Sequence, residues 1–374
     1  MTIESLKGIK VALVHDWLNG MRGGEKCLEV LCEMFPDADL YTLIYEKGKL
    51  SKIIESMKIS TSFIQHMPFG LKKYRHYLPL FPLAIEQFNL NRYDLIVSSS
   101  HCVAKGVKHD KSVCHISYVH APMRYVWDQF DTYFRQPRTS MLVRIGAEAT
   151  RSYLQRWDKK TSKRVDTFIC NSQNIQSKIR DYYNRESKVV NPPVDLSLFR
   201  PGETKESFYL MVGAFAPNKR VDLAVKAFNR LKLPLKIVGT GQDEAYCKSI
   251  AKGNIEFHGK LSNKILLKLY QQARALIFPG EDDFGITPLE AQACNTPVIA
   301  YASGGALETV TDQTGIFFKE QKEEALSAAV KEMERSWKNF SPEKFSNQTK
   351  FFRRENYMER MSAAIQNGFK EWQR

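Results

Sequence analysis

Two carboxylates eight positions apart, Asp282 and Glu290, frame the most chemically suggestive stretch of this 374-residue chain. Residues 279–310 read PGEDDFGITPLEAQACNTPVIAYASGGALETV. The acidic run Glu281, Asp282 and Asp283 enters Phe284-Gly285-Ile286, and a helix-like segment carrying Glu290 follows. Next come a buried-strand run, Pro297–Ala300, and the paired glycines Gly304-Gly305. Carboxylates suit the hydroxyls of sugars and riboses. The N-terminus of a helix opening at Phe284, Gly285 and Ile286 suits phosphate. Both groups fall at the carboxyl edge of a sheet, where α/β proteins bind ligands. The pattern predicts a nucleotide-sugar site. A metal-binding acidic motif is the alternative, but neither histidine nor a further carboxylate ligand is at hand.

Other stretches carry compatible chemistry. Lys219 and Arg220 stand at the entrance to a helix whose N-terminus already favours anions. Two cations there can hold a diphosphate as it departs, or they are a surface pair. Gly239-Thr240-Gly241 closes a strand and lets the chain pass close to a nucleotide. The loop Asn19–Gly24, with Gly23 and Gly24 at its end, lets backbone amides face a phosphate, or it is a tight turn alone. His120 ends an apolar strand and can bond a sugar hydroxyl, and Arg124 can meet a phosphate. Residues 63–83 mix Phe69, Leu71, Tyr74 and Phe81 with Lys72, Lys73, Arg75 and His76. That mixture fits a surface meeting anionic membrane, or an excursion packing its apolar face inward.

These groups need a scaffold of strand ends. Strand runs are expected at Ile9–His15, Leu40–Ile44, Leu95–Val97, Val113–Val119 and Thr167–Cys170. A second series falls at Phe208–Val212, Leu235–Val238, Ile255–His258, Ala275–Phe278 and Pro297–Ala300. Helix-length stretches separate them, which predicts an α/β fold of two doubly wound, Rossmann-like domains with mainly parallel sheets facing a cleft. The expected division is one domain over 1–190, a linker over 191–200 and a second, nucleotide-sugar-binding domain over 201–352. Tyr357, Met361, Ala364 and Ile365 share one helical face, so 353–374 reads as a helix crossing back onto the first domain.

The net charge is +14, and residues 1–200 hold 30 Lys and Arg against 20 Asp and Glu. Such an excess favours an anionic partner. No motif for nucleic acid is present, so no nucleic-acid partner is expected. The seven cysteines are scattered singly, which fits reduced core residues in a cytoplasmic protein. No apolar run approaches the roughly 20 residues of a spanning helix. The N-terminus lacks a signal-peptide layout. Location on the inner face of the plasma membrane would then be peripheral.

Taken together, K-R-V-D-L-A-V-K-A-F at 219–228, I-V-G-T-G at 237–241, D-F-G-I-T-P-L-E-A at 283–291 and Asn171-Ser172 resemble retaining glycosyltransferase family 4, which has the GT-B fold. H-D-W-L at 15–18, S-S-S-H at 98–101 and H-A-P-M-R-Y-V-W-D at 120–128 resemble its bacterial O-antigen and exopolysaccharide mannosyltransferases. The resemblance implies that Glu290 binds the nucleotide ribose. It puts Asp282, or Glu281 beside it, on the transferred sugar, where the family has glutamate. Lys219 keeps the lysine of a diphosphate-binding pair whose arginine position is Ala214 here, with Arg220 compensating. His120 falls near the sugar's C6 hydroxyl, and Gly23-Gly24 approach the diphosphate. The implied reaction is metal-independent hexosyl transfer with retention, from a nucleotide-sugar donor such as GDP-mannose to a lipid-linked or saccharide acceptor. A UDP-sugar donor and a non-catalytic scaffold are the alternatives.

Overall fold

A computed structural model describes residues 6–135 and 139–374. The chain forms two compact units, Met1–Pro192 with Tyr357–Arg374, and Pro193–Asn356. Seven strands form the first sheet: β1 (Val11–His15), β2 (Asp39–Thr42), β3 (Lys58–Thr61), β4 (Leu95–Ser100), β5 (Cys114–Val119), β6 (Thr167–Cys170) and β7 (Lys188–Val189). Their order is β3-β2-β1-β4-β5-β6-β7. Six form the second: β8 (Tyr209–Val212), β9 (Leu235–Val238), β10 (Ile255–Phe257), β11 (Leu276–Phe278), β12 (Val298–Tyr301) and β13 (Gly315–Phe318), in the order β10-β9-β8-β11-β12-β13. Every pairing in both sheets is parallel.

Alternation along the strands explains why both sheets are covered on both faces. In β1, Val11 and Leu13 enter one apolar cluster, and Ala12 and Val14 enter another. In β8, Tyr209 and Met211 face one cluster and Leu210 the opposite one. Parallel sheets need this double cover, and it leaves the strand ends as the open part of each unit. In each sheet the winding direction reverses once, between β1 and β4 and between β8 and β11. The carboxyl ends of those strand pairs are where such folds bind ligands.

From Tyr357 onward the helix Arg354–Trp372 belongs to the first unit, as its spacing predicted. Tyr357, Met361, Ala364, Ile365 and Phe369 are buried with Leu13, Val97 and Ile116. Five such side chains, at about 1.5–3 kcal/mol for each large one, suffice to dock a helix of this length. Gly368 gives the closest approach: a Cβ there would lie 2.9 Å from Thr167 Oγ1 and 3.1 Å from Ile116 Cδ1. The passage between units falls at Pro192-Pro193. Val194 and Phe199 are buried in the second unit's core, and the Val194 amide donates to the Phe352 carbonyl at 2.8 Å.

The segment 63–83 divides its residues between core and solvent. Tyr74 and Phe81 pack inward against Trp17, while Phe69, Leu71, Lys72, Lys73, Arg75 and His76 are exposed.

Candidate active site

In the second unit, glycines bring three loops into backbone contact. A Cβ on Gly280 would lie 2.2 Å from the Asn218 carbonyl oxygen and 2.6 Å from Lys219 Cα. The loop after β11 therefore fits against the loop after β8 only with glycine there. On its other side, Gly305 donates its amide to the Asp282 carbonyl at 2.8 Å, and a Cβ on it would come within 2.2 Å of Phe284 Cα. Gly304 has a φ of +61°, in the left-handed region.

This packing sets the side chains. Lys219 Nζ donates to Asp282 Oδ2 in an ion pair, with both side chains partly exposed. Glu281 turns to the opposite loop, where its Oε2 accepts from Ser303 Oγ at 3.0 Å. Gly285 opens the helix Ile286–Ala293 with a φ of +90° and no side-chain cap, and Phe284 is buried edge-on to Phe352. Glu290 lies in the second turn of that helix, only 6% exposed, with its Oε2 accepting from Tyr270 Oη at 3.0 Å. Burial and the Glu290 charge hold the Tyr270 phenol well above its usual range, so it stays a donor.

Two sequence expectations meet different surroundings. Arg220 does not join the Lys219–Asp282 pair. Its Nε donates to Asp222 at 3.2 Å and its Nη1 to Gln321 Oε1 at 3.0 Å, and its φ of +51° turns the chain into the helix Val221–Leu231. Gly239 and Gly241 press on a neighbouring loop. A Cβ on Gly239 would fall 1.8 Å from the Gly213 carbonyl oxygen, and one on Gly241 2.6 Å from that of Phe215. These glycines are required by backbone packing at the ends of β8 and β9.

In the first unit, register delivers three polar side chains to adjacent strand ends. His15 pairs with Ser99 across β1 and β4, and the His120 amide, just past β5, donates to the Ser100 carbonyl at 2.8 Å. Ser99 Oγ lies 3.1 Å from His15 Nδ1 and 2.8 Å from His120 Nε2. One hydroxyl can donate to only one of these nitrogens and must accept from the other, so the two imidazole tautomers are coupled. Gly24 sits over the pair: a Cβ there would be 3.6 Å from His15 Cε1 and 3.7 Å from His120 Nε2.

Asp16 organises the adjoining turn. Its carboxylate accepts from the amides of His101, Cys102, Val103 and Ala104 at 2.6–3.0 Å, and lies 3.1 Å from His101 Nδ1. The second half of the 120–128 motif is an anchor. Trp127 Nε1 donates to Asp158 at 2.7 Å, its ring stacks on Tyr182, and Asp128 pairs with Lys178. Asn171 Nδ2 holds the His120 carbonyl at 2.9 Å.

The electrostatics keep these imidazoles neutral. Burial holds His15 and His101 down at about 3, helped at His101 by the Arg124, Arg22 and Arg75 guanidiniums. Burial, with His101, His15 and Arg124 adding, puts His120 well below the usual range. His120 is thus suited to orienting a hydroxyl and unsuited to acting as a cation. Burial also pushes the Glu25 carboxyl up to about 7.

The contacts around Gly24 make a sharp test. A methyl at 3.6–3.7 Å is ordinary van der Waals contact, so Gly24→Ala should fold normally. We expect its melting temperature to stay within about 2 °C of the parent, while kcat/KM falls roughly 10–100-fold through a displaced substrate. A variant with unaltered kinetics would remove this loop from the site.

Sequence reasoning did not reach Ser303, Tyr270, Asp16 or Ser99 as site residues. Only Asp16 and Ser99 left a signal, as polar residues at the ends of buried strand runs.

Comparison with known proteins bears on the family and the fold. Residues 23–198 match the model for Glycosyltransferase Family 4, and residues 197–351 match that for Glycosyl transferases group 1. The chain is 30% identical over 197 residues to D-inositol 3-phosphate glycosyltransferase of Mycobacteroides abscessus, covering 45% of this chain and 44% of that one. It is 28% identical over 189 residues to an O-antigen chain mannosyltransferase of Salmonella typhimurium, covering 47% and 53%. The chain spans about half the length of these curated relatives. Among solved structures, sucrose-phosphate synthase from Thermosynechococcus elongatus superposes with a TM-score of 0.72 at 18% identity, covering 97% of this chain and 100% of that one. HepE of Anabaena, in complex with UDP, gives 0.68 at 14% identity, covering 96% and 100%. With the two models meeting end to end along residues 23–351, and with this shared architecture, the chain belongs to glycosyltransferase family 4 and has the GT-B fold.

Proposed function

We propose that this glycosyltransferase moves a hexose, with retention, from a nucleotide-sugar donor to a lipid-linked or saccharide acceptor in cell-surface polysaccharide synthesis. The observation that carries the reading is the Lys219–Asp282 pair, held between glycine-packed loops. On a nucleotide sugar the hexose and the diphosphate are joined at the anomeric carbon. The groups that recognise them must therefore be neighbours, as this ammonium and carboxylate are. Glu290 takes the ribose hydroxyls, and the amides at Gly285 and Ile286 meet phosphate.

In the proposed reaction the bond from the anomeric carbon to the diphosphate breaks, and the acceptor oxygen bonds from the same face. The departing diphosphate oxygen takes the acceptor's proton, so no protein nucleophile is used. Lys219 offsets the charge that develops on the leaving group, a task that requires no metal cofactor. Neutral His120 orients a hydroxyl of the sugar.

GDP-mannose is the donor we favour. Support comes from the Salmonella mannosyltransferase and from a GDP-mannose-dependent phosphatidylinositol monomannoside mannosyltransferase of Corynebacterium glutamicum, 32% identical over 133 residues. The UDP complexes of HepE favour a UDP-sugar as the second reading. A lipid-linked acceptor would be met at the cytoplasmic face of the membrane, through residues 63–83. Among the described residues no helix is long and apolar enough to cross a membrane.

The test is a donor panel of GDP-mannose, UDP-glucose, UDP-galactose and ADP-glucose, scored by release of the nucleoside diphosphate. GDP release from GDP-mannose alone is the expected outcome, and UDP release would move the assignment to the second reading. If the protein neither turns over nor binds any sugar nucleotide, the proposal fails.

A further inference from the structure

The helix Met141–Thr161 begins apart from the core of its unit. Met141, Leu142, Val143 and Ile145 are 75, 83, 51 and 53% exposed, and the first side chain of this helix to be buried is Leu154. Other large exposed apolar residues, such as Ile265, Leu307 and Phe351, stand singly and require no explanation. Four within five positions, at the end of a 21-residue helix, do require one.

The arrangement selects the partner. At 100° per residue these side chains spread over roughly 200° of the helix circumference, wider than the stripe a groove on another protein covers. A fluid interface can surround a helix end from all sides. The neighbouring charge is cationic. Arg135 ties the helix to the preceding segment through Glu148 at 2.7 Å and also pairs with Asp131 at 3.2 Å. Tyr125 and Tyr133 pack edge-on and adjoin Arg75, which lies over the Tyr74 ring. Tyr133, two positions before Arg135, is thus linked through Tyr125 and Arg75 to Tyr74, close in sequence to the exposed Phe69, Lys72 and Lys73. Along this path stand Lys72, Lys73, Arg75, Arg135 and Arg144, with Arg135 paired to Asp131 and Glu148. The helix N-terminus adds positive potential at the tip.

We propose that residues 141–145 form an insertion tip that enters the headgroup region of an anionic bilayer, with the basic 69–76 segment resting on the same surface. Apolar side chains and excess cations together supply the two signals that stable interfacial attachment needs. The inference goes beyond the acceptor reading above by adding a second lipid-contacting element. It shares with that reading the premise of a membrane-bound acceptor.

Co-sedimentation of the full chain with vesicles tests it, without any sugar nucleotide. We expect binding to vesicles of phosphatidylglycerol in phosphatidylcholine, at least tenfold weaker binding to phosphatidylcholine alone, and a marked loss in high salt. Leu142→Gln with Ile145→Gln should weaken binding at least tenfold at an unchanged melting temperature. Should that variant fold poorly, Leu142→Trp reads the same point through quenching by brominated lipid. Failure of the parent to bind anionic vesicles, or of the double variant to lose binding, overturns the proposal. So does a parent dimer that the double variant converts to monomer with vesicle binding unaltered, since the tip is then an interface between copies. A failed donor panel leaves this result standing, and failed vesicle binding leaves the donor assignment standing.

Discussion

Lys219→Ala is expected to lower kcat by on the order of 10²–10³, the size seen when one preorganised charge-stabilising group is removed. The ammonium has one carboxylate partner in Asp282 and stands beside the Phe278 ring, 5.9 Å from its centroid. Because negative charge on the diphosphate grows as the glycosidic bond breaks, the interaction strengthens toward the transition state. The loss should fall on kcat more than on KM. Stability should barely move, since an ion pair with side chains 23% and 20% exposed contributes about 0–1 kcal/mol. Asp282→Asn should also reduce kcat, and the double variant should lose less than the product of the two single losses, because each group positions the other. Arg220→Ala is the contrasting control. Its guanidinium is engaged by Asp222 and Gln321, so a loss of only a fewfold is expected. The measurement is initial-rate kinetics with the active donor, alongside thermal melts. Full activity in Lys219→Ala, or an Arg220→Ala loss as large as that of Lys219→Ala, would reverse the assignment of the leaving-group cation.

The contrast between Lys219 and Arg220 shows what sequence could and could not convey. Adjacent cations at a helix entrance look equivalent in one dimension. A left-handed turn at Arg220 accompanies their divergence to different partners, and the residue types alone do not reveal it. The same division runs through the fold. β1, β4, β5 and β6 were legible because they are central, and runs such as Val11–His15 are buried throughout. β3 and β7 were not, because each lies at a sheet edge, where a short or partly exposed strand leaves little apolar pattern. In the site, the carboxylates and glycines were visible as residue types. Their partners were not. Ser303 lies 22 positions from Glu281, Tyr270 lies 20 from Glu290, and the amides that hold Asp16 lie 85–88 away. Gly280 and Gly305 read as loop residues, whereas their function is to let three backbones touch.

Mild acid should destabilise the first unit, with stability falling by about 3 kcal/mol per pH unit below pH 6.5. His15, His115 and His120 are buried and His101 is largely so, and desolvation holds all four far below the ordinary histidine range. An unfolded chain returns them to about 6.5, so below that pH it binds protons that the native state refuses. Stability attributable to each is therefore intact above pH 6.5 and declines as pH falls toward the folded value, about 3 for His15 and His101. Each can contribute up to about 1.4 kcal/mol per pH unit. Glu25 opposes the trend. Burial holds its carboxyl up at about 7, so the native state takes up a proton that the unfolded chain releases between about 4.5 and 7. That offsets roughly one imidazole. Asp16, whose carboxyl is also raised by burial, opposes the trend in the same direction. Against a domain stability of about 5–15 kcal/mol, a loss of about 4–5 kcal/mol by pH 5 predicts a markedly lower melting temperature for the first unit there. Trp17, buried edge-on to His101 at 4.3 Å, makes its fluorescence a direct reporter. His115 separates the stability effect from catalysis. It bonds Ser98 at 2.9 Å and is not among the residues gathered around Gly24. His115→Gln should therefore flatten the pH dependence of the melting temperature by about one proton while leaving donor KM alone. A melting temperature level from pH 7 to pH 5 would mean that the imidazoles gain protons without unfolding. His120 would then be able to act as a cation, and its role as a neutral orienter of the sugar would have to be withdrawn.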